Sequence, residues 1–220
     1  MKLESVGVLI SMHPFNERDA VARIFSRDFG IMVGMLRGAI VAKKNKPLVG
    51  QFGNFSWNAR LDSALGVFHW EPERNLVAVV MNDSDKLALV NSMFDLIATM
   101  LPERESYEKL YDQTYEFLSN LGNVTNANGE YLNWEISLIR ELGYALDLSR
   151  CSGCGTTENL NYISPKTGRA VCDNCAAPYI TRLYKMPLST DITLKFLEKI
   201  CDDTGTAIPI FRKIIAHKKN

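Results

Sequence analysis

The 220-residue sequence predicts an α+β protein, a small antiparallel β-barrel followed by a mostly helical part that carries a cysteine-held insert. Three observations lead there. Short apolar runs broken by Gly, Pro and Asn fill residues 1–80. Beyond Asn82 the apolar spacing changes to steps of three and four. Four cysteines then fall together between residues 151 and 175.

The β part is read in order as "SVGVLISM", the polar break "HPFNERD", "AVARIFS", the break "RDFG", "IMVGMLRGAIVA", the break "KKNKP", "FGNFSWNARL" and "GVFHWEP". About five strands in so few residues suit an OB-type barrel in particular. Ser84 or Asp83 can cap a first helix with apolar positions Leu87, Val90, Phe94, Ile97 and Leu101, ended by Pro102. Tyr107, Leu110, Tyr111, Thr114, Phe117, Leu118 and Leu121 form a second stripe, stopped by Gly122. "EYLNWEISLIRELG" is apolar on most sides, predicting a buried third helix that ends at Gly143. After the cysteines come "STDITLKFLEKIC", capped within Ser189 to Asp191, and Pro209 to Ala216. The domains are therefore expected at 1–80 and 81–220, with the insert at 151–175.

Composition is ordinary for a globular chain, with 46% apolar and 23% charged residues. The apolar run Val6 to Ile10 is too short for a signal segment, and Leu76 to Met81 is far too short to span a membrane. A cytoplasmic protein is expected, where clustered cysteines serve metal or redox chemistry more often than disulfides. The zero net charge is a cancellation: residues 1–80 carry +3, 81–150 carry −7 and 151–220 carry +4. The three histidines, His13, His69 and His217, have no metal-protease spacing, and there is no nucleophile elbow, Walker lysine loop or dinucleotide fingerprint. Glu17 and Asp19 are read as solvated or capping turn residues. No enzyme activity is predicted.

Cys151 and Cys154 form one C-x-x-C pair and Cys172 and Cys175 a second, with 17 residues between Cys154 and Cys172. That spacing fits a four-thiolate zinc site, in which each pair forms a knuckle donating two sulfurs to one ion. Iron fits the same four sulfurs, and two disulfides or a redox pair are the other readings. Gly155 lets its N–H approach a thiolate and Asn174 suits a left-handed second knuckle. A hairpin turning at Pro165 to Gly168 would join the two. Four cysteine ligands leave no position for water, so a zinc ion here is expected to be structural. Cys201 lies on the stripe Leu194, Leu197, Ile200 and is read as core.

From Phe29 to Leu61 there is no Asp or Glu, while Arg37, Lys43, Lys44, Lys46 and Arg60 supply five cations. Phe52, Phe55 and Trp57 are interleaved with them. Cations unopposed by carboxylates can track a nucleic-acid backbone, and exposed aromatics can stack on bases. DNA binding is therefore expected at Arg37, Lys43, Lys44, Lys46 and Arg60, with Trp57 as a stacking residue. At least one of Phe52 and Phe55 is expected in the core.

Three segments carry a resemblance to a known family: "ERDAVARIFSRDFGIMVGMLRGA" (17–39), "ARLDSALGVFHW" (59–70) and "NWEISLIRELGYALDLSRCSGC" (133–154). Together they resemble the RecO family of bacterial DNA-repair and recombination mediators. The resemblance implies an OB-fold, a helical domain and a zinc-ribbon insert. It further implies binding to single- and double-stranded DNA, strand annealing and, with RecR, help to RecA on DNA coated by single-strand-binding protein (SSB). An association with the bacterial nucleoid goes with that role. Binding of the acidic SSB C-terminal tail is also implied, and the basic set Arg182, Lys185, Lys195 and Lys199 is its candidate site. The loop from Ile40 to Pro47 is less basic than in many relatives, which implies modest affinity or a share for the C-terminal basic segment. The competing reading is a zinc-ribbon adaptor that binds only proteins.

Overall fold

The structure, a computed structural model, describes residues 1–60, 65–144 and 146–217, with the backbone alone for 216 and 217. Leu61, where the acid-free stretch ends, lies outside the described residues, as do 62–64 of the second family-like segment. Among the described residues no helix is long and apolar enough to cross a membrane.

Five strands form the N-terminal barrel: β1 (Lys2–Pro14), β2 (Ala20–Ser26), β3 (Gly30–Leu36), β4 (Gln51–Asn58) and β5 (Gly66–Asn75). Their order is β1-β2-β3-β5-β4, closed by β4 pairing with β1. β1 serves two neighbours: Lys2 to Val8 pair with β4, and Gly7 to Pro14 pair with β2 across a register shift between Leu9 and Ser11. Such an irregularity bends a strand and increases its twist, as closing a small barrel requires. β3 and β5 run parallel through three pairs, Gly34↔Gly66, Met35↔Val67 and Leu36↔Phe68. This is the five-stranded OB arrangement that the strand count predicts.

Alternation decides which side chains fill the barrel. Ala20, Ala22 and Ile24 of β2 and Phe55 and Trp57 of β4 join Leu9, Met32, Leu36, Phe68 and Trp70 in one core cluster. Phe52, by contrast, is half-buried and meets Tyr115 at 4.9 Å between ring centroids. Gly66 is required by this packing: a Cβ there would lie 2.1 Å from the Trp57 ring.

Helix α1 (Ser84–Met100) starts as predicted, with the Asp83 carboxylate accepting from the N–H groups of Asp85 and Lys86. It ends before Pro102, which disfavours helical backbone at the residue preceding it. Helix α2 (Glu108–Asn120) buries Leu110, Tyr111, Thr114, Phe117 and Leu118, the predicted stripe. Its outer turns hold the barrel: Tyr111 packs edge-on against Phe25 at 5.5 Å, and Asp112 accepts from Arg27 Nε and Nη2 at 2.9 and 3.1 Å. Because α1 and α2 pack with the strands, the first compact unit runs through residues 1–127 and includes 209–212. The change from strand to helix near residue 80 is thus internal to this unit.

The second unit comprises, among the described residues, 128–144, 146–208 and 213–217. Helix α3 (Ala127–Glu141) buries Tyr131, Trp134, Glu135, Leu138 and Ile139. Glu135 is fully buried and accepts from the Tyr131 hydroxyl at 3.0 Å and from the Thr193 hydroxyl. Two short strands, β6 (Tyr162–Ile163) and β7 (Ala170–Val171), form the predicted hairpin, and β8 (Tyr184–Lys185) adds a third to give the order β7-β6-β8. Helix α4 (Asp173–Ala176) and a 3-10 turn (Ala177–Arg182) separate β7 from β8. Helix α5 (Thr190–Thr204) is capped by Ser189 and buries Cys201, as its stripe predicts. Helix α6 spans Ile210–His217.

Candidate metal centre and nucleic-acid surface

The ribbon hairpin brings both C-x-x-C pairs to one point. The Sγ atoms of Cys151, Cys154, Cys172 and Cys175 all lie within 4.8 Å of one another. Cys154 and Cys172 are 3.6 Å apart, close to the roughly 3.8 Å that tetrahedral geometry gives for metal–sulfur bonds of about 2.3 Å. None is in a disulfide. Cys151 accepts from the N–H groups of Gly153 and Cys172, each at 3.3 Å. The Cys172 N–H contributes most and the Cys154 N–H next to lowering the Cys151 thiol to about 6, so this sulfur is set up as a thiolate. Cys175, beside the sulfur of Cys154 first and then those of Cys172 and Cys151, is pushed up to about 12. Four sulfurs this close cannot all be anionic without a cation between them, so the donor set fits a soft metal ion. Gly153 supports the fit, because a Cβ there would come 2.9 Å from Cys175 Sγ.

The knuckles differ from expectation in two details. Gly155 does adopt a left-handed φ of +79, but its N–H bonds the Cys151 carbonyl at 2.9 Å and not a sulfur. Asn174 lies inside the helical turn of α4 and is not left-handed. At the start of α4 the Cys172 N–H donates to Cys151 Sγ at 3.3 Å, and the Asp173 N–H to the Asn159 carbonyl at 3.2 Å.

On the barrel, Arg37, Lys43, Lys44 and Lys46 are all exposed and share the single loop joining β3 to β4. Both ends of this loop are pinned. At its start, Gly38 N–H donates to Asp19 Oδ1 at 2.8 Å and Ile40 N–H to the Arg18 carbonyl at 3.0 Å. At its return, Leu48 N–H donates to Gln51 Oε1 at 3.0 Å and Gly50 N–H to the Leu9 carbonyl at 2.8 Å. Arg60 is also exposed but stands apart: it follows the pair Asn58↔Val67 in antiparallel β4, whereas Arg37 follows Leu36↔Phe68 in β3, so the two leave the barrel in opposite directions.

Trp57 is not a stacking residue. It has no exposed surface, its ring rests on Gly66, and its Nε1 donates to the Val33 carbonyl at 2.9 Å. Strand alternation turns Trp57 inward together with Phe55, and the Arg104 guanidinium covers the ring at 4.7 Å.

The sequence reading missed Phe15 and Arg18. Phe15 is 61% exposed at the tip between β1 and β2. Asn16 Oδ1 accepts from the N–H groups of Arg18 and Asp19 at 2.8 and 2.7 Å, and the same turn is tied to Gly38 and Ile40. A phenylalanine inside the otherwise polar "HPFNERD" was the available signal. Asp19 is the capping carboxylate: the Gly38 N–H first and the Asn16 amide second hold it below its ordinary value of 3.8, with Arg18 and Arg37 adding to the effect. A stretch free of acids in sequence therefore meets acids in space: Asp19 at Gly38 and Glu73 at Asn54, whose amide donates to it at 2.7 Å.

In the second unit the basic set comes from three elements, the 3-10 turn, β8 and α5. Lys195 lies 4.7 Å over the Tyr184 ring and Lys199 lies 5.7 Å over Tyr144. Arg182 ends the 3-10 turn and Lys185 is on β8.

Comparison with known proteins follows this layout. The family model described as "Recombination protein O C terminal" matches residues 81–188. "DNA repair protein RecO" of Dinoroseobacter shibae is 37% identical over 183 residues, covering 82% of this chain and 76% of that protein. This chain belongs to the RecO family. Other RecO proteins agree: that of a Ruegeria species is 36% identical over 182 residues, covering 82% of this chain and 76% of its own. That of Rhizobium rhizogenes is 31% identical over 189 residues, covering 85% and 72%. The resemblance carried by the three quoted segments thus holds over most of the RecO chain.

Proposed function

We propose that this chain is a non-catalytic DNA-binding protein of recombinational repair. It holds single- and double-stranded DNA by phosphate contacts, anneals strands and, with RecR, helps RecA onto SSB-coated DNA in the bacterial cytoplasm at the nucleoid. The observation that carries the reading is the pinned loop that presents Arg37, Lys43, Lys44 and Lys46 from one end of an OB barrel, tied to the turn bearing Phe15 and Arg18. Cations held on an anchored loop meet phosphates with little ordering cost, and among the described residues the barrel strands β1 to β5 have no helix between them to read a major groove. Arg60, on the segment that follows β4, contributes less than the loop. Phe15 takes the base-stacking part first expected of Trp57.

The ion at the four cysteines is zinc in a structural role, since four sulfur ligands leave no site for water. The acidic SSB tail binds the second unit near Lys185, Lys195 and Lys199, with Arg182 as a further cation; aromatic rings under two of these lysines keep their ammonium groups at fixed positions.

The test is titration of a single-stranded oligonucleotide at several salt concentrations. Four phosphates neutralised give a slope of log K against log salt of roughly −3, and replacing Lys43, Lys44 and Lys46 together by Ala flattens it by about two units. A triple variant with the parent's slope and affinity removes DNA from this loop. No salt-dependent DNA binding at all favours the protein-only adaptor.

A further inference from the structure

The ribbon has concave surfaces of its own. One cleft of about 590 Å³ is lined by Lys166, Arg169, Tyr179 and Arg182 over an apolar floor of Val171 and Leu183. All three charged side chains on it are cationic, and no Asp or Glu lines it. A second cleft, of about 430 Å³, lies against the hairpin tip and shares Lys166, Thr167 and Arg169 with the first. Its one carboxylate, Asp147, accepts from the N–H and hydroxyl of Ser149 at 3.1 and 2.6 Å and is also close enough to Arg150 and Arg169 for both to help hold it below its ordinary value.

The tip is a fixed projection. Ser164 N–H donates to the Arg169 carbonyl and Gly168 N–H to the Ser164 carbonyl, each at 2.9 Å, while Ser152 N–H holds the Ala170 carbonyl at 2.9 Å. Tyr179 is 55% exposed on a 3-10 turn that buries none of its residues, so core packing does not account for an aromatic there. Three cations, hydroxyls from Ser164 and Thr167, and an uncovered aromatic face are the chemistry of a phosphodiester strand with a stacked base. Two clefts meeting at one basic tip also make a track, which suits a strand better than a pocket for a single side chain.

We propose that this ribbon surface is a second binding site for single-stranded nucleic acid, with Lys166, Arg169 and Arg182 on phosphates and Tyr179 under a base. It shares with the proposed function the premise that the chain meets nucleic acid and the cation Arg182, and it stands on residues outside the barrel.

The experiment uses the full metal-loaded chain and a labelled oligo-dT of about 15 nucleotides, near the upper site size of an OB-fold. Anisotropy is read over a salt series, and ultraviolet cross-linking to the parent protein is mapped by mass spectrometry. Lys166→Ala with Arg169→Ala is expected to flatten the salt slope by about 1.4. Tyr179→Ala is expected to weaken binding roughly 5- to 150-fold at unchanged slope. A cross-link between residues 164 and 183 is expected in the parent protein, whatever the folding of the variants. Both losses persist in the Lys43, Lys44, Lys46 triple-Ala background. Parent affinity and slope in the ribbon variants, with no cross-link in that segment, overturn the proposal and leave the barrel reading standing. Ribbon variants that abolish binding beside a neutral loop triple uphold it and remove the barrel reading. An acidic Asp/Phe peptide that binds through Lys166 and Arg169 without displacing oligo-dT overturns it in favour of a protein partner.

Discussion

Replacing Trp57 separates its place in the core from any part in binding. Trp57 is fully buried and fills the space above Gly66, so Trp57→Ala removes a complete core ring and is expected to destabilise the protein by about 3–5 kcal/mol. Against a total of about 5–15 kcal/mol for a typical domain, that is a large share. Trp57→Phe keeps most of the volume but deletes the indole N–H, leaving the Val33 carbonyl without its 2.9 Å partner. An unsatisfied buried acceptor costs about 1–3 kcal/mol. Urea unfolding followed by circular dichroism measures both, with oligonucleotide affinity read on the fraction that stays folded. Trp57→Phe is expected to lower the midpoint and leave that affinity and its salt slope unchanged. An unchanged midpoint together with weakened oligonucleotide binding would refute the core assignment.

Gly66→Ala drives a methyl into the same ring and is expected to cost about 1–3 kcal/mol in the same unfolding assay. Elemental analysis of protein prepared without chelator is expected to find about one ion per chain; Cys151→Ser or chelation then exposes 151–175 to protease, while salt-dependent binding at the barrel loop persists. For Asp19, whose folded value is depressed below 3.8, the stabilisation is complete above the unfolded value and is lost as pH falls through the folded one. Asp19→Asn therefore shallows the fall of the urea midpoint below about pH 4. It also removes a carboxylate that faces Arg18 and Arg37 and is expected to tighten oligonucleotide binding at neutral pH.

Much of this fold was legible because its signals are local. The α2 stripe, the Asp83 cap and the ribbon hairpin each depend on spacing within about a dozen residues, and each is where the periodicity puts it. The metal centre was legible for the same reason, since C-x-x-C pairs carry their own geometry. What escaped depends on contacts between distant segments. Which face of β4 is inward follows from closure against β1, where Trp57 pairs with Leu3, far outside any window around residue 57. The joining of the Phe15 turn to the Arg37 loop rests on one carboxylate and one carbonyl about twenty residues upstream. Strand β8 is two residues long, too short for any period to register.

The short parallel seam between β3 and β5 bears on how the protein behaves at high concentration. Outside three ladder pairs, both strands would offer unpaired backbone to a neighbouring molecule. Below the seam, that backbone is occupied from within: Arg104 N–H takes the Ile31 carbonyl at 3.0 Å and the Trp57 indole takes that of Val33. Above it, β5 continues as Glu71, Pro72 and Glu73, a proline between two acids, which discourages an added strand. Damage at this seam should therefore show first as lost solubility, with light scattering rising before any strand ladder melts.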